Sequence, residues 1–253
     1  MGEEVLLQMT DISKSFPGVK ALDHVSLTVR RGTVHALMGE NGAGKSTLMK
    51  CLFGIYSKDE GSIQLEGREV NFKNSKEALE NGVAMVHQEL NQALKRSVMD
   101  NLWLGRYPMI GGVMVNERKM LQDTKAIFEE LEIDVDPHRI MSTMPVSQRQ
   151  MVEIAKAIMK QTKIILMDEP TAALDPIAEN ELYLQYNALS GGKTSFFISH
   201  RLSSTRFCDK ILFLSDGKIA EYGTHEELMA KKGKYYQMYQ LQSYYYREEG
   251  DAI

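Results

Sequence analysis

The first third of the chain carries the alternating hydrophobic pattern of β-strands. Apolar and polar residues alternate over 25–30, which is the two-residue period of a half-buried strand. Two further stretches with apolar residues at alternate positions, 63–65 and 70–72, are separated by Glu66-Gly67-Arg68. This arrangement predicts a hairpin closed at the glycine. We therefore expect a β-rich subdomain at the start of the chain.

The pattern changes to a helical period between residues 97 and 160, where apolar residues recur at helical spacing around 120–131 and 151–158. Beyond it, the apolar runs 163–167 and 195–198 are typical of buried strands, with a helix expected from Pro176 to about Leu189. Thr224 and Glu227 fit a capping box that starts a helix. The final helix carries six tyrosines, which we interpret as a packing face.

Strands that alternate with helices predict an α/β fold with a mostly parallel sheet. We expect residues 1–90 and 161–253 to form the core together with an N-terminal antiparallel β subdomain, and residues 91–160 to form an inserted α-helical subdomain. At 253 residues, the chain is long enough for one large domain of this kind.

Composition limits the classes of partner. The net charge is −4 and the pI is about 5.9, which argues against nucleic acid as a partner because phosphate contacts need a basic surface. The two cysteines, Cys51 and Cys208, lie far apart and lack metal-ligand spacing. Cys51 falls on the helix after the glycine-rich stretch, where we expect a buried packing thiol. The sequence predicts neither a signal peptide nor a membrane-spanning helix, and we expect a location in the cell interior.

A glycine-rich stretch between an apolar run and a helical run carries the strongest chemical signal. It matches the phosphate-loop pattern G-x-x-x-x-G-K-[ST] and comprises Gly39, Glu40, Asn41, Gly42, Ala43, Gly44, Lys45, Ser46 and Thr47. In such a loop, backbone N–H groups converge on an anion at the start of a helix. Lys45 is then expected to reach the β- and γ-phosphates of a bound nucleotide, and Ser46 to bind Mg²⁺.

An acidic pair, Asp168-Glu169, follows the apolar run 163–167. In a parallel sheet, a carboxylate at the carboxyl end of a strand lies at the edge where ligands bind. We therefore expect Asp168 to bind Mg²⁺ and Glu169 to polarise the water that attacks the γ-phosphate.

With these motifs the chain resembles the ATP-binding cassettes of ABC transporters, which have a P-loop NTPase core. The resemblance rests on the phosphate loop, Gln88, Asp168-Glu169-Pro170-Thr171, Ala173-Leu174-Asp175 and His200 in this order. It implies that Gln88 contacts Mg²⁺ and the attacking water, that His200 contacts the γ-phosphate, and that Phe16 stacks on adenine. Asp175 would belong to a loop that communicates between two cassettes.

Two parts of the chain resemble different branches of that family. Residues from about 1 to 168 resemble the first cassette of bacterial importers for galactosides and ribose, in sequence segments such as Met85-Val86-His87-Gln88-Glu89-Leu90. Residues from about 170 to 246 resemble cassettes of ABC exporters. In the importers, the helical region around Trp103 meets the membrane subunit, although core packing explains this single tryptophan equally well.

The signature motif departs from the family pattern. Where the family has Leu-Ser-Gly-Gly-Gln, this chain has Met144-Pro145-Val146-Ser147-Gln148. In the head-to-tail dimer of that family this motif closes over the partner's ATP, so the resemblance implies that Pro145 removes a hydroxyl and an N–H donor. Loss of one charge-assisted donor costs about 1.5–3 kcal/mol. Proline can start a helix, so we expect a helix from Ser147 and weak hydrolysis in a homodimer.

The sequence thus predicts an ATP-hydrolysing subunit of a sugar-importing ABC transporter. It would lie at the cytoplasmic side of the membrane, bound to permease subunits and paired with itself or with a second cassette. Two alternatives stay open. One is the cassette of an exporter, and the other is a nucleotide-binding regulatory module with little ATPase activity because of Pro145.

Overall fold

The computed structural model describes residues 4–87, 90–159, 162–169, 193–198, 205 and 208–250, with side chains up to residue 243. The strands are β1 (Val5–Phe16), β2 (Val19–Arg30), β3 (Val34–Gly39), β4 (Glu60–Leu65), β5 (Arg68–Val70), β6 (Val83–Val86), β7 (Met109–Ile110), β8 (Met114–Val115), β9 (Ile164–Asp168), β10 (Thr194–Ile198), β11 (Lys210–Ser215) and β12 (Lys218–Gly223). The helices are α1 (Lys45–Leu52), α2 (Ser75–Glu80), α3 (Val98–Trp103), α4 (Glu117–Glu130), α5 (Val146–Ile158), α6 (His225–Lys231) and α7 (Lys234–Gly250), with a 3₁₀ turn at Met141–Thr143.

A six-stranded sheet in the order β12-β11-β3-β10-β9-β6 forms the centre of the molecule. All neighbouring strands run parallel except β12, which pairs antiparallel with β11. Every residue of β3, β9 and β10 is buried, as expected for parallel strands covered on both faces. The prediction of an α/β fold with a mostly parallel sheet is confirmed.

The two faces of this sheet pack into two hydrophobic clusters, because side chains of a strand alternate between faces. Met38 and Phe197 lie in the cluster that contains α5. Their neighbours Leu37 and Phe196 lie in the other cluster, which contains α1 and the first strands of the chain. The residues on either side of the phosphate loop are therefore fixed by the core.

A four-stranded antiparallel sheet in the order β2-β1-β4-β5 covers one side. It contains the predicted strand over 25–30 and the predicted hairpin, in which Leu65 pairs with Arg68. Both turn residues, Glu66 and Gly67, have positive φ angles of 53° and 73°, as a tight two-residue hairpin turn requires. The antiparallel β subdomain is thereby confirmed.

The region between β6 and β9 contains α3, α4, the 3₁₀ turn and α5. Its helical period was predicted, but the short hairpin β7–β8 was not. The helix of the signature region was predicted to begin at Ser147, and this is wrong by one residue, because α5 begins at Val146 and Pro145 is its N-cap. The proposed subdomain boundaries at residues 90–91 and 160–161 stay a prediction.

The C-terminal helices confirm two smaller predictions. Thr224 and Glu227 form the expected capping box at the start of α6. On α7, Tyr235 is fully buried and packs against the core, while the side chains of Tyr244 to Tyr246 and the expected helix 176–189 lie outside the described residues. In the described part of the chain, no helix is both long and apolar enough to cross a bilayer.

Both cysteines are buried and neither forms a disulfide bond, so the prediction of a buried packing thiol is confirmed for Cys51. Burial raises the pKa of Cys51 to about 11 and raises the pKa of Cys208 further. A thiol with a raised pKa is a poor nucleophile, so these residues act as packing groups.

Candidate functional site

The loop between β3 and α1 can adopt its conformation only with glycine at two positions. Gly39 and Gly44 have φ angles of 138° and 102°, in the region that residues with a Cβ rarely occupy. A Cβ on Gly39 would lie 2.2 Å from the carbonyl oxygen of Leu214, and one on Gly44 would lie 2.4 Å from that of Ala21. The loop therefore lies directly against the neighbouring backbone, which leaves its other side for a ligand.

Lys45 opens α1 with a side chain that lies inside the loop. It is 5% exposed, and its ammonium group donates hydrogen bonds of 2.8 Å to the carbonyl oxygens of Gly39 and Glu40. Burial lowers the pKa of this lysine, while the charges of Glu169 and Asp168 oppose that effect. The loop thus holds a desolvated cation, a favourable partner for phosphate oxygens.

Ser46 and Asp168 meet although 122 positions separate them. The Ser46 hydroxyl donates a 2.9 Å hydrogen bond to Oδ1 of Asp168, which is 8% exposed at the carboxyl end of β9. A hydroxyl and a carboxylate both offer hard oxygen ligands. Mg²⁺ is usually coordinated by one or two such protein groups together with the phosphates of its substrate. The pair therefore fits Mg²⁺, and the described residues contain no cluster of three or more His, Cys, Asp or Glu that would suit another kind of metal site.

Glu169 is held in an unusual backbone conformation next to this pair. Its φ angle is 47°, a left-handed conformation that costs a residue with a Cβ about 1–2 kcal/mol. Its backbone N–H donates to the carbonyl oxygen of Ile198 on the neighbouring strand at 3.2 Å. Strained residues of this kind are concentrated at functional sites, and this one lies close enough to affect the pKa of Lys45.

Phe16 is the last residue of β1. Its ring is half-buried and makes an edge-to-face contact with Tyr56 at a centroid distance of 5.2 Å. The remaining predicted site residues, Gln88 and His200, lie outside the described residues, as does Asp175. Of the predicted site, the structure thus brings together the loop residues 39–47, Asp168 and Glu169.

The signature segment presents an uncapped helix end. Pro145 is the N-cap of α5, no side chain of the described residues caps this helix end, and its first turn contains no acidic residue. The carbonyl oxygen of Pro145 accepts a 3.1 Å hydrogen bond from the N–H of Arg149. The positive end of the α5 dipole is therefore available to an anion, while proline supplies no hydroxyl.

A second feature, a groove between the helical region and the core, was not predicted from the sequence. It has a volume of about 520 Å³, and its lining includes His87, Leu104, Arg106 and Glu153. Trp103, in the region that the resemblance placed at the membrane subunit, is half-buried and donates a 3.0 Å hydrogen bond from Nε1 to Thr124 on α4. Its neighbour Leu104, 51% exposed, lines the groove.

Comparisons with known proteins agree with this geometry. The model of the ABC transporter family matches residues 22–172. The galactose/methyl galactoside import ATP-binding protein of Sodalis glossinidius is 59% identical over 217 residues, which is 85% of this chain and 43% of that protein. The chain therefore spans less than half the length of this curated relative.

Solved structures show the same fold. A nucleotide-free ATP-binding cassette from an ABC transporter is 28% identical with a TM-score of 0.79, and the match covers 90% of this chain and 94% of that chain. A bacterial Atm1-family ABC exporter with ATP bound is 25% identical with a TM-score of 0.75, covering 96% of this chain and 42% of that chain.

Proposed function

The chain belongs to the ABC transporter family, and from this premise we propose that it is the ATP-binding and ATP-hydrolysing cassette of a sugar importer of the galactoside type. The observation that carries the proposal is the 2.9 Å contact between Ser46 and Asp168 beside the buried Lys45. The sugar class follows from the relatives, whose names describe galactose and methyl galactoside import.

The phosphates of ATP would bind to the loop amides and the ammonium group of Lys45. Lys45 would exchange its bonds to the carbonyl oxygens of Gly39 and Glu40 for stronger bonds to phosphate oxygens. Ser46 and Asp168 would hold Mg²⁺ together with Gln88. When bound, Mg²⁺ neutralises charge on the phosphate oxygens.

Glu169 would accept the proton of the attacking water. Its position one residue after Asp168, at the ligand-binding edge of the sheet, supports this role. Gln88 would orient the water and His200 would contact the γ-phosphate, and Phe16 would stack on the base. These roles of Gln88, His200 and Phe16 are carried over from the family.

The partners would be permease subunits and a second cassette. The groove lined by Leu104 and Arg106 is a concave surface between two packed layers and supports docking of a membrane subunit at the cytoplasmic face. The uncapped N-terminus of α5 supports a head-to-tail dimer, in which it faces the ATP of the other cassette. The relatives are named for import, which favours import over export.

A regulatory nucleotide-binding module is the second candidate, and Pro145 is the observation that favours it. As the N-cap of α5, proline provides no side-chain hydrogen bond to the γ-phosphate of a partner. Such a module would bind Mg-ATP tightly and release little phosphate, with or without the substitution Pro145→Ser.

A single-turnover assay of phosphate release tests the main proposal. The variant Glu169→Gln removes the proton acceptor and keeps the shape of the side chain, so we expect phosphate release to fall by a factor of about 10²–10⁴ while Mg-ATP still binds. Glu129→Gln, at an exposed position on α4, serves as the control and should behave like the wild type. Unchanged turnover in Glu169→Gln would show that another group is the base.

A further inference from the structure

The position of Phe16 relative to the phosphate loop follows from strand pairing. Gly44 lies directly against Ala21 and Leu22 of β2. Leu22 pairs with Lys14 of β1, and Phe16 is two residues further along that strand, a distance of about 7 Å at the usual rise of a strand. The Phe16 ring is therefore within reach of the base of a nucleotide whose phosphates occupy the loop.

Two neighbours fix the Phe16 ring. The Tyr56 ring meets it edge to face, with an interplanar angle of 73° and a centroid distance of 5.2 Å. The ammonium group of Lys14 lies 5.6 Å from the ring centroid and is itself held by a 2.7 Å salt bridge to Asp59. An aromatic ring with fixed neighbours loses less conformational freedom when a ligand stacks on it.

Tyr56 is attached to the helix that begins in the phosphate loop. The backbone N–H groups of Ile55 and Tyr56 donate to the carbonyl oxygen of Lys50 near the end of α1, at 2.9 and 3.1 Å. The ammonium group of Lys50 also lies 5.8 Å from the Tyr56 ring centroid. The start of α1 thus bears the phosphate-binding Lys45, and its end holds the aromatic neighbour of Phe16.

We propose that Tyr56 is a positioning residue for the nucleobase, which acts by holding the Phe16 ring in the orientation that stacks on the base. This inference rests on the proposed function, since it requires that the loop binds a nucleoside triphosphate. It assigns Tyr56 to recognition of the base alone, so affinity for the phosphates is independent of it.

The test compares two probes, Mg-ATP and inorganic tripolyphosphate with Mg²⁺, by calorimetry. Loss of the edge-to-face contact removes the free energy that holds the Phe16 ring in place. We therefore expect Tyr56→Leu to weaken Mg-ATP binding about three- to tenfold, while the affinity for tripolyphosphate stays unchanged. Tyr56→Phe keeps the ring and should therefore bind Mg-ATP with wild-type affinity. Tyr222→Leu makes the same change at an exposed tyrosine of β12 and should have no effect.

A double-mutant cycle separates positioning from a purely structural role. In a Phe16→Leu background, Tyr56→Leu should have no further effect on Mg-ATP binding, because its influence passes through the Phe16 ring. Additive effects, or an equal loss of affinity for both probes, would overturn the inference. If Tyr56→Leu does not fold, Tyr56→Met serves in the same cycle. If the wild type binds neither Mg-ATP nor tripolyphosphate, the result would instead overturn the proposed function.

Discussion

At the scale of single residues, the site depends on positions that tolerate no side chain and on groups that the core desolvates. The phosphate loop lies so close to the carbonyl oxygens of Ala21 and Leu214 that Gly44 and Gly39 have no room for a Cβ. Lys45 is buried against the same loop. Small changes at these positions should therefore have large effects.

Gly44→Ala should lower the free energy of unfolding and abolish Mg-ATP binding. The new Cβ meets both a positive φ of 102° and a backbone oxygen at 2.4 Å, so the loop must move. Gly67→Ala is the matched control, since its φ is also positive but no atom of the described residues lies within 4 Å of the added Cβ. It should cost about 1 kcal/mol of strain and leave nucleotide binding intact. Equal unfolding midpoints in urea for both variants would contradict this account.

His35 should make the fold sensitive to acid. It is 2% exposed, and burial lowers its pKa to about 4. Because the fold favours the neutral ring, its stability contribution is complete above the ordinary pKa of about 6.5 and is lost as the pH falls toward 4.

We expect the wild type to lose roughly 2 kcal/mol of unfolding free energy between pH 7 and pH 5 through this residue, as measured by urea denaturation. His35→Gln should lose less over that interval, whereas His138→Gln, at an exposed position, should follow the wild type. The same pH dependence in both variants would exclude His35 as the source.

At the scale of elements, the phosphate loop, the capping box at Thr224 and the hairpin at Gly67 could be predicted because each depends on contacts between residues a few positions apart. The hairpin β7–β8 could not, since two-residue strands are too short to show a period. The contact between Phe16 and Tyr56 spans 40 positions, and the groove beside Leu104 arises only when α3, α5 and the core pack together.

The N-terminus of α5 gives a prediction about a single element. Pro145→Ser adds a hydroxyl that can cap the helix, which should raise the free energy of unfolding by about 0.5–2 kcal/mol. In the proposed dimer, it should also raise phosphate release about tenfold, as expected for one regained donor. An unchanged rate with increased stability would favour the regulatory module over the hydrolase.

At the scale of the whole molecule, two surfaces have different proposed functions: the carboxyl edge of the parallel sheet and the groove beside Leu104. Its carboxyl edge carries Asp168 and Glu169 beside the phosphate loop. The groove lies where the helical region meets the core, and Arg106 connects the elements there by donating to the carbonyl oxygens of Leu102 and Lys156 at 3.0 and 2.9 Å. Binding at one surface can thus be separated from binding at the other by mutation.

Leu104→Asp should prevent assembly with the proposed permease subunits without changing phosphate release by the isolated chain. The carboxylate would place an unpaired charge in a contact that must exclude water. Leu241→Asp on α7 is the matched control, because its side chain is similarly exposed at 58% against 51% for Leu104. The measurement is co-purification with the proposed membrane subunits. If Leu104→Asp and Leu241→Asp co-purify with them equally well, the permease interface does not include the groove at Leu104.

The most direct test of the central claim, that the loop and its buried lysine bind the phosphates of ATP, is the affinity of Lys45→Ala for Mg-ATP measured by calorimetry. We predict a loss of about 10- to 100-fold, the range for one charge-assisted contact. Lys76→Ala, with a side chain 86% exposed on α2, should bind like the wild type. Wild-type affinity in a folded Lys45→Ala variant would contradict the account.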